Sequence, residues 1–252
     1  MGFNVTAIAY SQFMGRYSEP LAAEFLTAIG LADGVRVLDV GCGPGALTSR
    51  LADRLGLDRV CAVDPSEPFV AAVRARLPGI DARRAKAENL PFADDEFDCA
   101  AAQLVVHFMK DPVAGLTEMA RVTRPGGLVA ANVWDHAGGA GPLSTFWRAV
   151  AALDPDAADE SKLAGARQGH LVELFGQAGL RDVAETVLTV RVGYENFEQW
   201  WQPFTLGVGP AGAHVAALND QQRAELKAEC ARLLSPAPFE ISASAWTAIG
   251  RV

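Results

Sequence analysis

The sequence of 252 residues predicts an α/β fold in a single domain, with a sheet whose strands are mostly parallel. Two observations carry this prediction. Short apolar runs rich in β-branched residues alternate five times with amphipathic helical patterns, and no linker or internal repeat divides the chain. Apolar runs of this kind are typical of strands that are buried on both faces. Right-handed crossovers through the helices then bring consecutive strands into one sheet.

Each element has its own signal. The predicted strands are 35–40, 59–64, 80–86, 97–106, 128–134, 185–194 and 239–252. The last two alternate apolar and polar residues, as strands with one exposed face do. The predicted helices are 18–30, 46–55, 67–77, 113–123, 146–153, 170–180, 196–207 and 219–234. Ser18 and Ser66 suit helix N-caps, and Gly30 and Gly56 suit helix ends.

We therefore predict one domain over residues 1–252. Within it, residues 1–30 form an N-terminal helical cover, and residues 135–168 and 195–237 form helical lid insertions that contact a substrate. Gly-rich pieces in these insertions are consistent with lids that move.

Composition restricts the class of partner. The net charge is −8 with no basic run, so a nucleic-acid partner is not expected. No stretch approaches the ~20 apolar residues of a membrane span, and the first residues lack the basic and apolar parts of a signal peptide. The four cysteines are scattered and show no metal-like spacing. We expect a cytoplasmic protein with reduced thiols and no bound metal.

A glycine turn, GCGPG at 41–45, follows the first predicted strand. Ligands of parallel sheets bind beyond the carboxyl ends of the strands, and such a turn lets them approach the backbone. On its own the turn also fits a dinucleotide site. Asp39 would repel a pyrophosphate there but attract a cationic group, and Asp64, at the end of strand two, can accept from ribose hydroxyls. The acids favour S-adenosylmethionine (SAM) over NAD.

Four ordered segments extend this interpretation: VLDVGCGPG (37–45), AVDPS (62–66), AKAENLPFADDEFD (85–98) and EMARVTRPGG (118–127). In order and spacing they resemble the class I SAM-dependent methyltransferases, and within them the small-molecule type 11 group. The resemblance covers roughly residues 10–135. It implies a Rossmann-like, seven-stranded sheet with an antiparallel last strand and helices on both faces.

The resemblance also implies a set of cofactor-binding residues: Arg16, Asp39, Gly41, Cys42, Gly43, Asp64, Pro65, Ala87, Glu88 and Gln103. Gly41 and Gly43 would pass under the methionyl part of SAM, Asp39 would help to hold its amino group, and Arg16 its carboxylate. Asp64 would bind the ribose, Pro65, Ala87 and Glu88 would surround the adenine, and Gln103 would line the methionyl slot. Many relatives carry Asp or Asn where this chain has Lys86, which cannot accept from the adenine amino group.

The sequence is less informative about the chemistry. His107, just past strand four, is the first candidate for a general base, and His136, after strand five, is a weaker one. Structural roles in packing or loop capping compete for both. His170 and His214 are expected to lie far from the chemistry.

Four tryptophans form a tentative substrate pocket: Trp134, Trp147, Trp200 and Trp201. An aromatic pocket would suit a planar or apolar acceptor, although the same residues could pack the lids onto the core. We predict transfer of a methyl group from SAM to a small organic acceptor, with S-adenosylhomocysteine (SAH) as product. The choice among O-, C- and N-nucleophiles stays open. The alternatives are a SAM-binding enzyme of other chemistry or a non-catalytic SAM-binding regulatory protein.

Overall fold

The computed structural model describes residues 7–252, so the first six residues of the predicted N-terminal cover lie outside the described residues. The described residues form a seven-stranded sheet in the order β3-β2-β1-β4-β5-β7-β6. The strands are β1 Val37–Val40, β2 Val60–Asp64, β3 Asp81–Arg84, β4 Phe97–Gln103, β5 Thr123–Trp134, β6 Arg181–Tyr194 and β7 Phe239–Arg251. β1 to β5 are parallel, and β7 is antiparallel to both of its neighbours. The predicted fold class is confirmed.

Helices cover both faces of the sheet. They are α1 Ala7–Tyr10, α2 Arg16–Ile29, α3 Ala46–Leu55, α4 Glu67–Arg76, α5 Pro112–Val122, α6 Ser144–Leu153, α7 His170–Gln177, α8 Phe197–Trp201, α9 Gly209–Ala217 and α10 Asp220–Leu233. A π-helical turn, Ser11–Gly15, joins α1 to α2. Among residues 7–252, no helix is both long and apolar enough to cross a membrane.

Two layers of core explain why both faces of β1, β2 and β4 are apolar. On one face, Phe25 of α2 and Leu51 of α3 pack against Val37 and Ala101. On the other face, side chains of α5 and α7 pack against Leu38 and the alternate residues of the neighbouring strands. Each buried apolar side chain contributes roughly 1.5–3 kcal/mol, so these layers hold the strand ends in fixed positions.

A third apolar core lies on the same face of the sheet as α2 and extends over β5, β6 and β7. It contains Trp134, Phe146 of α6, Trp200 of α8 and Phe204, together with Phe13 from the π-helical turn. The N-terminal helices and both predicted insertions thus pack on one face of the sheet, beside the carboxyl ends of the parallel strands.

Four predictions of local structure were wrong. Ser18 is not an N-cap but lies within α2, which begins at Arg16. Residues 209–217 form a helix where the sequence predicts a loop, because GPAGAHVAA lacks a polar face and buries small residues such as Ala211 and Gly212. β4 ends at Gln103 instead of residue 106, and a 3-10 turn at Val106–Phe108 follows. β5 begins at Thr123, within the segment assigned to the helix end.

Candidate functional site

The glycine turn is held against β2 by its own backbone. The N–H groups of Gly41 and Cys42 both donate to the carbonyl oxygen of Val63, at 2.8 and 2.9 Å. Gly41 has a φ of +71°, and a Cβ atom there would lie 2.5 Å from the Cγ2 atom of Val105. Glycine is therefore required at Gly41 both by the left-handed backbone and by the approach of the segment after β4.

Asp64, the last residue of β2, is fixed by the backbone on both sides. Its Oδ2 accepts from the N–H of Gly43 at 2.9 Å, and its Oδ1 accepts from the N–H of Ser66 at 2.8 Å. Burial raises the pKa of this carboxyl group, and the two backbone hydrogen bonds act in the opposite direction. Each carboxylate oxygen still has acceptor capacity for a ligand.

A cavity of about 670 Å³ opens above the turn. Its wall includes seven of the predicted cofactor-binding residues: Gly41, Gly43, Asp64, Pro65, Ala87, Glu88 and Gln103. The ends of β2 and β4 and the start of α4 supply most of this wall. The other three predicted residues, Arg16, Asp39 and Cys42, are not part of it.

Asp39 lies behind the turn with an exposed fraction of only 1%. Its Oδ2 accepts from the hydroxyl group of Thr48 on α3 at 2.6 Å. Burial raises the pKa of Asp39 to about 7; the Thr48 bond lowers it, and the nearby Asp64 raises it further. The group is thus poised to ionise near neutral pH when a positive charge approaches.

Neither Cys42 nor Arg16 lines the cavity: Cys42 is buried behind the turn, and Arg16 is exposed. The thiol of Cys42 is buried, and burial raises its pKa well above the usual range, so it is a packing group and not a nucleophile. Arg16 begins α2, and its guanidinium carbon lies 5.3 Å from the centre of the Tyr194 ring.

Glu88 and Lys86, which follow β3, also line the cavity. One oxygen of Glu88, Oε1, accepts from the backbone N–H of Lys110 at 2.8 Å and of Asp111 at 3.3 Å. These bonds fix the segment after β4, which contributes Phe108 and Met109 to the wall. Lys86 also lines the cavity and places a cationic side chain in its wall.

The two candidate bases lie beside each other outside the wall, His107 buried and His136 half-buried. The ring centres of His107 and His136 are 5.9 Å apart. Burial lowers the pKa of His107 well below its usual range and lowers that of His136 to about 4, so both imidazoles are neutral at pH 7. Val105 and Phe108, the neighbours of His107 in sequence, do line the cavity.

The other two histidines, His170 and His214, make packing and hydrogen-bond contacts and do not line the cavity. His170 begins α7, and its Nδ1 accepts from the N–H of Gly165 at 3.2 Å. His214 lies in α9 with its ring near those of Phe146 and Trp147.

The four tryptophans of the tentative substrate pocket are buried in the third core, and none of them lines the cavity. The Nε1–H group of Trp147 donates to Oε2 of Glu160 at 2.8 Å. The structure therefore shows them packing the insertions onto the sheet.

Sequence reasoning missed several apolar residues of the wall: Tyr10, Phe69, Phe108 and Met109. The ring of Tyr10 meets that of Phe69 edge-on, with centres 5.5 Å apart. Tyr10 precedes the first predicted helix, and no periodic pattern marks it. Its position depends on how the π-helical turn folds the N-terminal segment over the cavity.

The arrangement fits an adenosine attached to a cationic amino-acid tail. A fixed carboxylate suits two ribose hydroxyls, apolar side chains suit a flat base, and an open glycine turn with Asp39 behind it suits a sulfonium and an ammonium group. Among residues 7–252, no group of three His, Cys, Asp or Glu side chains is placed to hold a metal ion.

Known proteins match the same part of the chain. Residues 38–131 match the family described as "Methyltransferase domain". An uncharacterized methyltransferase of Mycobacterium tuberculosis is 43% identical over 100 residues, which are 40% of either chain. A demethylmenaquinone methyltransferase of Paenarthrobacter aurescens is 32% identical over 174 residues, 62% of this chain and 66% of that one. The matched stretch thus spans less than half of the first relative and about two thirds of the second.

The crystal structure of the YcgJ protein of Bacillus subtilis superposes with a TM-score of 0.58 over 93% of this chain and 97% of that one. The two sequences are 18% identical, so this likeness concerns the fold alone.

Proposed function

Through residues 38–131 the chain belongs to the class I SAM-dependent methyltransferases, and we propose that it transfers the methyl group of SAM to a small organic acceptor. The observation that carries the proposal is Asp64. It ends β2 in the cavity wall, one oxygen bound to the glycine turn and the other to the start of α4, beside a turn that is open to a ligand.

In the proposed complex, Asp64 accepts from the ribose hydroxyls, and Gly41 and Gly43 allow the methionyl part to pass close to the backbone. Pro65, Ala87 and Glu88 surround the adenine. Asp39 acts from behind the turn through its charge. Arg16 would have to leave the Tyr194 ring to reach a carboxylate in the cavity.

SAM, when bound, supplies an activated methyl group on a sulfonium centre. The contribution of this chain is to hold that group and the acceptor in line and to exclude water, which can supply much of the acceleration. His107 remains our first candidate for a general base, and His136 the second. Their low pKa values keep them neutral but also make them weak bases, so alignment contributes more than proton transfer.

We propose a small, uncharged and partly aromatic acceptor. The apolar wall residues Tyr10, Phe108 and Met109 support this class, and the similarity to a demethylmenaquinone methyltransferase favours a quinone-like ring. The net charge of −8 argues against a nucleic-acid acceptor. We further propose that the N-terminal helices and the two insertions, residues 135–168 and 195–237, cover the site as parts of one domain.

The test follows labelled methyl from SAM into a defined panel of phenols, quinols and amines. We expect label on at least one product with the native protein. Asp64→Asn should lower transfer at least tenfold at limiting SAM, because a charged hydrogen bond contributes about 1.5–3 kcal/mol. Asp58→Asn, the same change at an exposed position in a 3-10 turn, is the matched control and should retain activity. Tight SAM binding with all label retained on the cofactor would favour the non-transferring alternatives.

A further inference from the structure

The strand β6 forms one edge of the sheet and is long for an edge strand. Its 14 residues pair with β7 on one side only, and the pairing runs from Ala184 to Tyr194 without a bulge. Among residues 7–252, the backbone groups of β6 that point away from β7 bond to no other backbone group or side chain. A row of such groups is a template for pairing with another strand.

The outer edge of β6 lacks the features that usually prevent such pairing. Proteins protect edge strands by short length, by charged side chains or by proline. The opposite edge, β3, follows this rule, because it has four residues of which three are charged. The strand β6 contains neither Lys nor Pro, and its central residues 186–190 read TVLTV. Within this uncharged run Val187 is 43% exposed.

On the face of the sheet that carries α2, only the second half of β6 is covered. Side chains alternate between the two faces of a strand, so the even-numbered residues lie on this face. Val190 and Tyr194 are buried in the third core. Ala184 and Thr186 are exposed.

On the opposite face, only the first half of β6 is covered. Val183 packs against the core beneath α7, and the carboxylate of Glu185 accepts from the N–H of Gly169 at 2.9 Å. Thr189 and Arg191 are exposed. A second copy of the strand, antiparallel and related by a two-fold axis, would therefore place its covered half beside the uncovered half on both faces.

Backbone geometry and charge together select one register for two such strands. Opposed residues of an antiparallel pair direct their backbone groups alike, so the two-fold axis has to pass through a residue. An axis at Leu188 places Arg191 opposite Glu185 of the second copy. Moving the axis by one residue would place Arg191 opposite an apolar side chain, Val183 or Val187.

Both members of this charged pair have capacity for a new partner. The side chain of Arg191 is 71% exposed, and its Nε lies 3.8 Å from Oε1 of Glu240, a loose contact within the chain. The oxygens of Glu185 share one N–H donor, that of Gly169, and can accept further hydrogen bonds. The two-fold axis forms the pair twice, and opposite charges directly across two strands are stabilising.

We propose that β6 binds β6 of a second copy of this chain, antiparallel and about a two-fold axis at Leu188, so that the two sheets become continuous. Residues 184–192 of the two copies exchange about eight to ten backbone hydrogen bonds. Association stops at the dimer, because the pairing uses this edge in both copies and leaves only the short, charged β3 edge. The cavity lies at β2 and β4, so this proposal does not depend on the proposed function.

Sedimentation equilibrium of the full chain over a range of concentrations tests the proposal. We expect the native protein to reach twice the mass of one chain. Arg191→Glu places like charges opposite each other twice and should raise the dissociation constant of the dimer at least about tenfold. Arg59→Glu is the matched control, because it makes the same change at an exposed residue on the other side of the sheet, and it should leave the dimer unchanged.

Cross-linking under mild oxidation tests the register. Leu188→Cys places two thiols opposite each other with Cβ atoms about 4.5–5.5 Å apart, close to the spacing of a disulfide. Thr186→Cys lies on the same face but opposite Val190 of the second copy, so it should not cross-link. The four native cysteines are buried and do not compete.

Three results would overturn the inference. The first is a native protein that stays monomeric at all concentrations, which would leave the β6 edge free or reserved for a strand of another protein. The second is a dimer that Arg191→Glu does not weaken, and the third is cross-linking of Thr186→Cys as efficient as that of Leu188→Cys. The last two would place the interface elsewhere.

Discussion

At the scale of residues, the two aspartates near the ends of β1 and β2 differ in their hydrogen-bond donors and in their burial. Asp64 receives two backbone N–H groups and lines the cavity. Asp39 receives one side-chain hydroxyl, from Thr48, and is sealed behind the turn. In the free protein, burial and the nearby Asp64 oppose ionisation of Asp39 and the Thr48 hydrogen bond favours it, so an incoming cation would shift the balance towards the charged form.

This difference predicts how stability depends on pH. The folded pKa of Asp39, about 7, lies above the ~3.9 of an unfolded aspartate. Between these values the native state holds a proton that the unfolded chain has released, so the free energy of unfolding falls as pH rises from ~4 to ~7. Asp39→Asn removes this dependence. We expect it to be more stable than the native protein at pH 8 by on the order of 2 kcal/mol, and by much less at pH 5.

Urea unfolding of both proteins at the two pH values measures the effect. A stability difference that is equal at pH 5 and pH 8 would contradict the raised pKa of Asp39. The same variant should bind SAM more weakly at pH 8, because it has lost the negative charge that we propose acts on the cationic part of SAM from behind the turn.

The residue types of the site could be predicted from the sequence. How deeply each side chain is buried, and whether it lines the cavity, could not. The glycine turn and the strand-terminal position of Asp64 follow from local pattern. That Asp39 accepts from Thr48 depends on how α3 packs, and that His107 lies outside the wall depends on how the segment after β4 packs. Such tertiary contacts have no local signal in the sequence.

At the scale of elements, α2 joins three parts of the molecule. Tyr17 of α2 and Tyr194 at the end of β6 form a buried hydrogen bond between their hydroxyl groups, 2.7 Å long. The same helix reaches β4 through Gln103 and the apolar core through Leu21 and Phe25. The N-terminal cover is thereby tied to the far edge of the sheet.

The tyrosine pair predicts non-additive losses of stability. Tyr17→Phe and Tyr194→Phe should each cost about 1–2 kcal/mol, because each leaves the other hydroxyl group buried without this partner. The double variant should cost less than the sum of the two single variants. Urea unfolding of all four proteins provides the cycle, and strictly additive losses would show that the bond between α2 and β6 contributes nothing.

Elements with strong periodicity could be predicted from the sequence, and α3 is found over the predicted residues 46–55. α9 could not, because a helix of Gly, Pro and Ala has no polar stripe and is stabilised by close packing of its small residues. The long β6 and the early start of β5 were also underestimated. Their first residues pair at a sheet edge and near a Pro-Gly-Gly segment, where local propensity opposes a strand.

At the scale of the whole molecule, an acidic chain presents a cavity whose wall is mostly apolar, with Asp64 in that wall and Asp39 buried behind the glycine turn. The parallel strands β1, β2 and β4 bring these groups to one edge, and the N-terminal and inserted helices pack beside it. The seven strands and the antiparallel β7 match what the resemblance implies. The resemblance does not identify the residues that contact the acceptor, because the insertions carry no shared motif.

The most direct test of this account is calorimetric titration of the native protein, Asp64→Asn and Asp58→Asn with SAH, and of the native protein with NADH. The account predicts that SAH binds the native protein and Asp58→Asn alike. Asp64→Asn should bind it at least tenfold more weakly, from the loss of a charged hydrogen bond, and NADH should not bind. Tighter binding of NADH than of SAH, or equal SAH affinity of the native protein and Asp64→Asn, would contradict it.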